Sequence, residues 1–258
     1  MSAGTQQPLL SLAGVEVDYG ADPVLRGVDL EVRRGEIVGL IGETGSGKTT
    51  VCRAILGLTK LRAGSIRFAG NEIGGLSRRA LRQFRHDGAI QYVFQDPLAS
   101  LDPDWPIERS VVEPLTLGAG TAKSRRRRAE EVFDDVGLDP ALLDRRPEEI
   151  SGGQRQRAVL ARALITRPKL LLCDEPVSAL DASNRIAVLE LFRALRTRHD
   201  VSIVFVSHDI GSIAGTSDRL AVLNDGVIVD SGPAREVIRR PSSTYARKLI
   251  AAVPTLPR

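Results

Sequence analysis

This sequence has few features of a cross-linked or membrane-embedded protein. Only two cysteines occur among 258 residues. Cys52 and Cys173 have no metal-type spacing, so a disulfide framework is excluded and reduced, buried thiols are expected. Long apolar runs are also missing: 170–173 and 203–206 fall far short of the ~20 residues that span a bilayer. Residues 1–8 are small and polar and lack the basic-then-apolar form of a secretory leader, which sets the expectation of a cytosolic protein. There is no internal repeat and no linker long enough to separate one domain from another. A hydrophobic content of 42% excludes disorder and collagen-like chains. At this length folding should bury ~70–75% of the unfolded surface, in one domain or in one domain with an inserted subdomain.

Charge is nearly balanced, with 36 Lys+Arg against 32 Asp+Glu and a formal net charge of +4. The cations are overwhelmingly arginine, and the pI is about 9.4. The run 125–128 raises the question of nucleic acid or anionic lipid. Glu130, Glu131, Asp134 and Asp135 follow it on what reads as one amphipathic helix, and a solvated helix face is the expectation.

The first third reads as strands, at 9–19 and 24–32 with a turn cluster at 20–23. A short apolar run at 36–41 feeds a glycine-rich loop, and 48–58 reads as a helix. Residues 65–69 read as a strand and 78–85 as a basic helical turn. From about 97 to 167 the pattern is helical, most clearly at 125–136 and 152–165. Buried-type strands at 169–173 and 202–206 flank a helix at 183–198, a βαβ return. A strand at 218–223, a turn at 224–226, a strand at 227–230 and two short helices follow.

Gly42-Glu43-Thr44-Gly45-Ser46-Gly47-Lys48-Thr49, followed by Thr50, fits G-x-x-x-x-G-K-[ST]. Glycines let the backbone wrap an anion so that successive N–H groups point at phosphate oxygens. The helix opening near Gly47 adds its positive dipole end. Lys48 is placed to neutralise the β- and γ-phosphates, and the Thr49 hydroxyl to join a Mg²⁺ shell. Strand, glycine loop and helix in this order indicate nucleotide binding.

Residues 170–175, Leu-Leu-Leu-Cys-Asp-Glu, form an apolar strand ending in two carboxylates. Such a strand delivers Asp174 at its carboxyl end, where α/β sheets bind ligands. Asp174 suits Mg²⁺ held through water, and Glu175 suits a general base on the attacking water. Ile150-Ser151-Gly152-Gly153-Gln154 opens a helix at 155–165 and offers a second anion site without a lysine.

The order Tyr19, 42–50, Gln95, 150–154, 170–176, Ser178-Ala179-Leu180-Asp181 and Ser207-His208-Asp209 resembles the ATP-binding subunit of ABC transporters, over residues 9–252. The resemblance implies an α/β fold: a P-loop NTPase core with an N-terminal antiparallel β subdomain and an inserted helical subdomain. The core and β subdomain would occupy about 9–96 and 168–232, the helical subdomain 97–167 and a helical tail 233–258, all within a single domain. It implies that Tyr19 stacks on adenine and that Gln95 touches Mg²⁺ or water and reports the γ-phosphate to the membrane subunit. Ser151, Gly153 and Gln154 would close over the nucleotide of the facing subunit, Asp181 would cross the dimer interface, and His208 would hold the γ-phosphate and orient the water. His86 and His199 match no motif and are expected at the surface.

The stretch 94–103, Phe-Gln-Asp-Pro-Leu-Ala-Ser-Leu-Asp-Pro, resembles the importer subfamily for dipeptides, oligopeptides and nickel or metal chelates. So do 175–181 and the ending Tyr245…Leu249-Ile250-Ala251-Ala252-Val253-Pro254. The usual His-Pro-Tyr-Thr is replaced by Ser242-Ser243-Thr244-Tyr245, and the cysteine-bearing tail of many peptide-type members is absent, so no iron–sulfur cluster is expected. Peptide and metal chelate both stay open as cargo. The implied partners are two transmembrane permease subunits, a second cassette (the same chain or another) and, indirectly, an extracytoplasmic binding protein, at the cytoplasmic face of the membrane. A soluble ABC ATPase acting on nucleic acid or ribosomes typically carries a coiled-coil insertion or two cassettes, neither of which fits here, and no nucleic acid is expected. A small P-loop kinase would leave 150–154 and 207–209 without purpose.

Overall fold

The computed structural model describes residues 7–94, 100–116, 118, 120–177 and 182–253. In chain order its elements are β1 (Leu10–Tyr19), β2 (Asp22–Val32), β3 (Ile37–Ile41), α1 (Lys48–Ile55), β4 (Ala63–Phe68), β5 (Asn71–Glu72) and α2 (Arg78–His86). Then come β6 (Ile90–Val93), α3 (Ile107–Val112), α4 (Ala122–Asp135), α5 (Gly152–Leu164), β7 (Leu170–Asp174) and α6 (Ala182–His199). The chain ends its regular structure with β8 (Ser202–Ser207), α7 (Ile210–Ile213), β9 (Arg219–Asn224), β10 (Val227–Pro233), α8 (Ala234–Arg239) and α9 (Thr244–Ala251). These group into two compact units, Met1–Leu81 with Ser202–Arg258, and Arg82–Val201.

The first unit carries an antiparallel sheet in the order β2-β1-β4-β5. Its strands alternate: Leu10, Leu12, Val15 and Val17 are buried, and so are Leu25, Val28, Leu30 and Val32 on the partner strand. That is the pattern of a sheet with one face on a core. In the same unit β3 lies parallel to both β8 and β9, and β10 closes antiparallel on β9. β3 and β8 are buried throughout, which explains their unbroken apolar sequence, since strands covered on both faces have no solvent side to alternate toward.

In the second unit β6 pairs in parallel with β7, from Ile90 opposite Leu170 to Val93 opposite Cys173. β6 is missing from the sequence reading because four residues with polar Gln91 and Tyr92 inside give too little periodicity to register. Ile107, Val111, Ala129, Val132, Phe133 and Leu160 of α3, α4 and α5 are buried. Thr121 caps α4 by accepting the Ser124 N–H at 3.2 Å. Both cysteines are buried. Among the described residues no helix is long and apolar enough to cross a membrane.

The arginine run departs from its expectation. Arg127 is solvated, with its side chain 83% exposed, but Arg126 reaches Glu108 at 2.7 Å, Asp144 at 2.6 Å and Glu130 at 3.1 Å. These partners hold its guanidinium far above the ordinary arginine range, Asp144 contributing most and Glu108 next. Arg128 donates to the Ile165 carbonyl at 3.3 Å and to Glu131 at 3.0 Å. Two of the four cations therefore brace the second unit, because their partners come from α3, the neighbouring turns and the end of α5 as well as from α4 itself. His199 departs too: it is only part-exposed, with Nε2 2.9 Å from Asp135, whereas His86 lies at the surface as expected.

Candidate functional site

In the first unit β3 delivers the chain to the 42–49 loop, and α1 begins at Lys48. Two glycines explain the tightness of this loop. A Cβ at Gly42 would fall 2.2 Å from the Leu223 carbonyl oxygen, a collision with backbone. Gly47, the residue before α1, sits at φ 105° with no side-chain cap on the helix. Any other residue there would be strained, and the first N–H groups of α1 are left without a capping side chain. The Gly226 N–H, from the β9–β10 turn, donates to the Ser46 carbonyl at 3.1 Å and braces the loop from behind.

Lys48 is 8% exposed. Its Nζ donates to the carbonyls of Gly42 and Glu43, both at 2.8 Å, so the ammonium is folded over the loop. The Ser46 hydroxyl is buried without a hydrogen-bond partner. A buried hydroxyl left unpaired costs about 1–3 kcal/mol. A buried cation, an unpaired hydroxyl and an uncapped helix start in one loop form a site suited to an oxyanion such as phosphate. Glu43, Thr44, Gly45 and Thr49 are exposed, and Thr50 is buried.

Thr50, Arg53 and Thr59 are the polar neighbours of the Tyr19 hydroxyl. Burial acts to raise this phenol, but these polar neighbours and the Arg53 charge outweigh it and hold Tyr19 below the usual tyrosine range. At 43% exposed, Tyr19 offers a ring to solvent near the helix that opens at the loop. His208 follows β8 directly. Because Ile41 pairs with Ser207 in the parallel register, Gly42 and His208 leave adjacent strands side by side. His208 is exposed, and Asp209 after it caps α7 through the Ser212 N–H at 3.2 Å.

In the second unit Asp174 ends β7 and is 9% exposed. Tyr92, from the neighbouring β6, donates its O–H to Asp174 Oδ2 at 2.6 Å. The Tyr92 ring meets Phe94 edge to face, with centroids 4.6 Å apart. A carboxylate at the end of a buried strand thus has in Tyr92 a fixed partner that the sequence reading missed. Glu175 turns at φ 52°, a left-handed conformation that costs a non-glycine residue of order 1 kcal/mol and collects at functional sites.

Ser151 caps α5 in a reciprocal box: Gln154 N–H donates to Ser151 Oγ at 3.3 Å, and Ser151 N–H to Gln154 Oε1 at 2.8 Å. Within this protomer the serine therefore serves the helix; Ser151 is exposed and Gln154 half-buried. One turn on, Gln156 Nε2 donates to the buried Pro176 carbonyl at 2.6 Å. This bond ties the 151–154 helix to the turn that carries Glu175. Gln156→Leu strands that carbonyl and is expected to lower unfolding free energy by about 1–3 kcal/mol. A fall of several degrees in the thermal midpoint checks it, and an unchanged midpoint refutes it. Gln95 and Asp181 lie outside the described residues.

A family model described as ABC transporter matches residues 25–178, more than half of the chain. The chain belongs to the ABC transporter family. A putative peptide import ATP-binding protein of Brucella ovis is 40% identical over 256 residues, covering 97% of this chain and 80% of that protein. Among solved structures, cbiO1 of Clostridium perfringens, part of the ABC transporter complex cbiONQ, superposes with a TM-score of 0.84 at 25% identity, covering 96% of this chain and 97% of that one. A dimeric ATP-binding cassette in a post-hydrolysis state, bound to ADP and Pi, gives 0.77 at 30% identity, covering 88% and 99%. The ABC cassette fold expected from the motifs is therefore the fold of this chain: α/β, with a P-loop core and an antiparallel β sheet. As an ABC cassette the chain is an ATPase.

Proposed function

We propose that this cassette is the ATP-hydrolysing subunit of a membrane importer for peptides. What carries the ATPase reading is the 42–49 loop, with Lys48 drawn over it and the Ser46 hydroxyl buried and unpaired. What supports the cargo is the Brucella ovis relative, whose name is that of a peptide importer's ATP-binding protein. The chain is taken as one cassette, with core and β subdomain at about 9–96 and 168–232, a helical subdomain at 97–167 and a tail at 233–258.

Phosphate is bound by the backbone of Gly42, Glu43, Thr44, Gly45, Ser46 and Gly47, by Lys48 and by the hydroxyls of Thr49 and Thr50, while Tyr19 supports the adenine. Thr49, Gln95 and Asp174 would hold Mg²⁺, which when bound would supply charge neutralisation for the phosphates. Tyr92 fixes Asp174 for this role. Glu175 takes the proton of the attacking water, and His208 orients that water by its bond to the γ-phosphate. Ser151, Gly152, Gly153 and Gln154 close over the nucleotide of a facing cassette, and Asp181 couples the two sites across the interface. ATP then stabilises the closed dimer because it contacts both subunits only in that state. Two permease subunits and an extracytoplasmic binding protein complete the machine at the cytoplasmic face of the membrane.

Mild-detergent purification from membranes, with every co-eluting subunit identified, tests the assembly; a permease pair is the expected finding. With that complex in vesicles, peptide-loaded binding protein should raise ATP turnover. Stimulation by a nickel chelate in place of peptide would overturn the cargo, and stimulation by nucleic acid or ribosomes without any permease would overturn the importer.

A further inference from the structure

The last helix of the described chain has a bond to the phosphate loop that none of the motifs accounts for. The Tyr245 hydroxyl accepts the Glu43 N–H at 3.0 Å, across 202 residues of sequence. Glu43 is also the residue whose carbonyl takes the Lys48 ammonium at 2.8 Å and the Ser46 N–H at 3.2 Å. One peptide segment therefore links the tyrosine to the cation and the hydroxyl that would meet phosphate. α9 is itself held on both sides. Before it, the Ser242 N–H donates to Asp230 at 2.6 Å, and Ser243 caps the helix through the Ala246 N–H at 3.0 Å. After it, Val253 Cγ1 lies 3.2 Å from where a Gly211 Cβ would stand, against α7, which starts just past His208. The strap thus runs from the phosphate loop to the segment that follows the histidine.

We infer that Tyr245 is a positioning residue for the phosphate loop, holding Glu43 so that Lys48 and Ser46 are presented to the nucleotide. The inference rests on the ATPase reading of the 42–49 loop. Burial, with the Glu43 and Asp225 carboxylates nearby, raises the phenol above its ordinary range despite the Glu43 hydrogen bond, so the hydroxyl stays protonated at neutral pH and keeps an O–H to donate while it accepts from Glu43. The ring alone would pack; the hydroxyl is what reaches the loop.

Tyr245→Phe in the full chain deletes only that oxygen. Titration with a fluorescent ATP analogue should show affinity reduced about fivefold, the worth of one neutral hydrogen bond, and KM for ATP should rise by the same factor. kcat at saturation should stay at the wild-type value, and the melting temperature of the nucleotide-free protein should fall by no more than the few degrees that one hydrogen bond is worth. Unchanged affinity with a lowered melting temperature, or a lowered kcat with unchanged KM, overturns the assignment. Lys48→Ala measured alongside separates the two levels. If it loses nucleotide while Tyr245→Phe does not, only the role of Tyr245 fails; if Lys48→Ala binds as wild type does, the loop reading fails with it.

Discussion

Lys48→Ala is expected to lower ATP turnover by about 10²–10³-fold, the effect of removing one preorganised charge that stabilises a transition state. The physical reason lies in the nucleotide-free loop. Lys48 Nζ is bonded to the Gly42 and Glu43 carbonyls, so alanine removes both the internal tie of the loop and the cation that would replace it on phosphate. Gly42 has no room for a side chain beside the Leu223 carbonyl, so the loop keeps its close approach to β9. Charged hydrogen bonds of this kind are worth roughly 1.5–3 kcal/mol each, and affinity should fall together with turnover. Nucleotide titration and steady-state hydrolysis on the same preparation check both; wild-type values in either would remove Lys48 from the site.

Glu175→Gln should behave in the opposite way toward binding. The amide keeps the shape of the side chain but cannot take a proton, so hydrolysis is expected to drop by about 10²–10⁴-fold, the usual worth of a general base, with ATP retained. Retained ATP holds the closed state, and size-exclusion chromatography with ATP should show a stable dimer that ADP does not produce. The left-handed turn at Glu175 makes glutamine the informative substitution. It preserves the side chain on a strained backbone, whereas glycine would relax the turn and confound the reading. A fully active Glu175→Gln protein would contradict the assigned base.

What the sequence made legible were local constraints. The loop at 42–49 is a contiguous pattern whose glycines answer to φ angles and close contacts, and the apolar runs of β3, β7 and β8 report burial on both faces. The partners that refine the site are non-local. Tyr92 meets Asp174 only because β6 and β7 pair in parallel. Tyr245 meets Glu43 across nearly the whole chain, and Gln156 reaches Pro176 through the helix geometry of α5. No spacing rule encodes such contacts, because each depends on which strands and helices become neighbours. Arg126 escapes a sequence reading for the same reason: Glu130 is visible one turn along the helix, but Glu108 and Asp144 are not.

The knot around Arg126 also changes how the basic character of the chain should be weighed. Glu108 and Asp144, each 18 residues away in sequence, turn an apparent invitation to polyanions into an internal clasp. Raising ionic strength would therefore slacken the helical unit from within instead of stripping a partner from its surface. Only a homologue that lost Glu108, Glu130 and Asp144 together would free the guanidinium, acquiring a stickiness toward RNA or acidic lipid that Arg126 does not offer here.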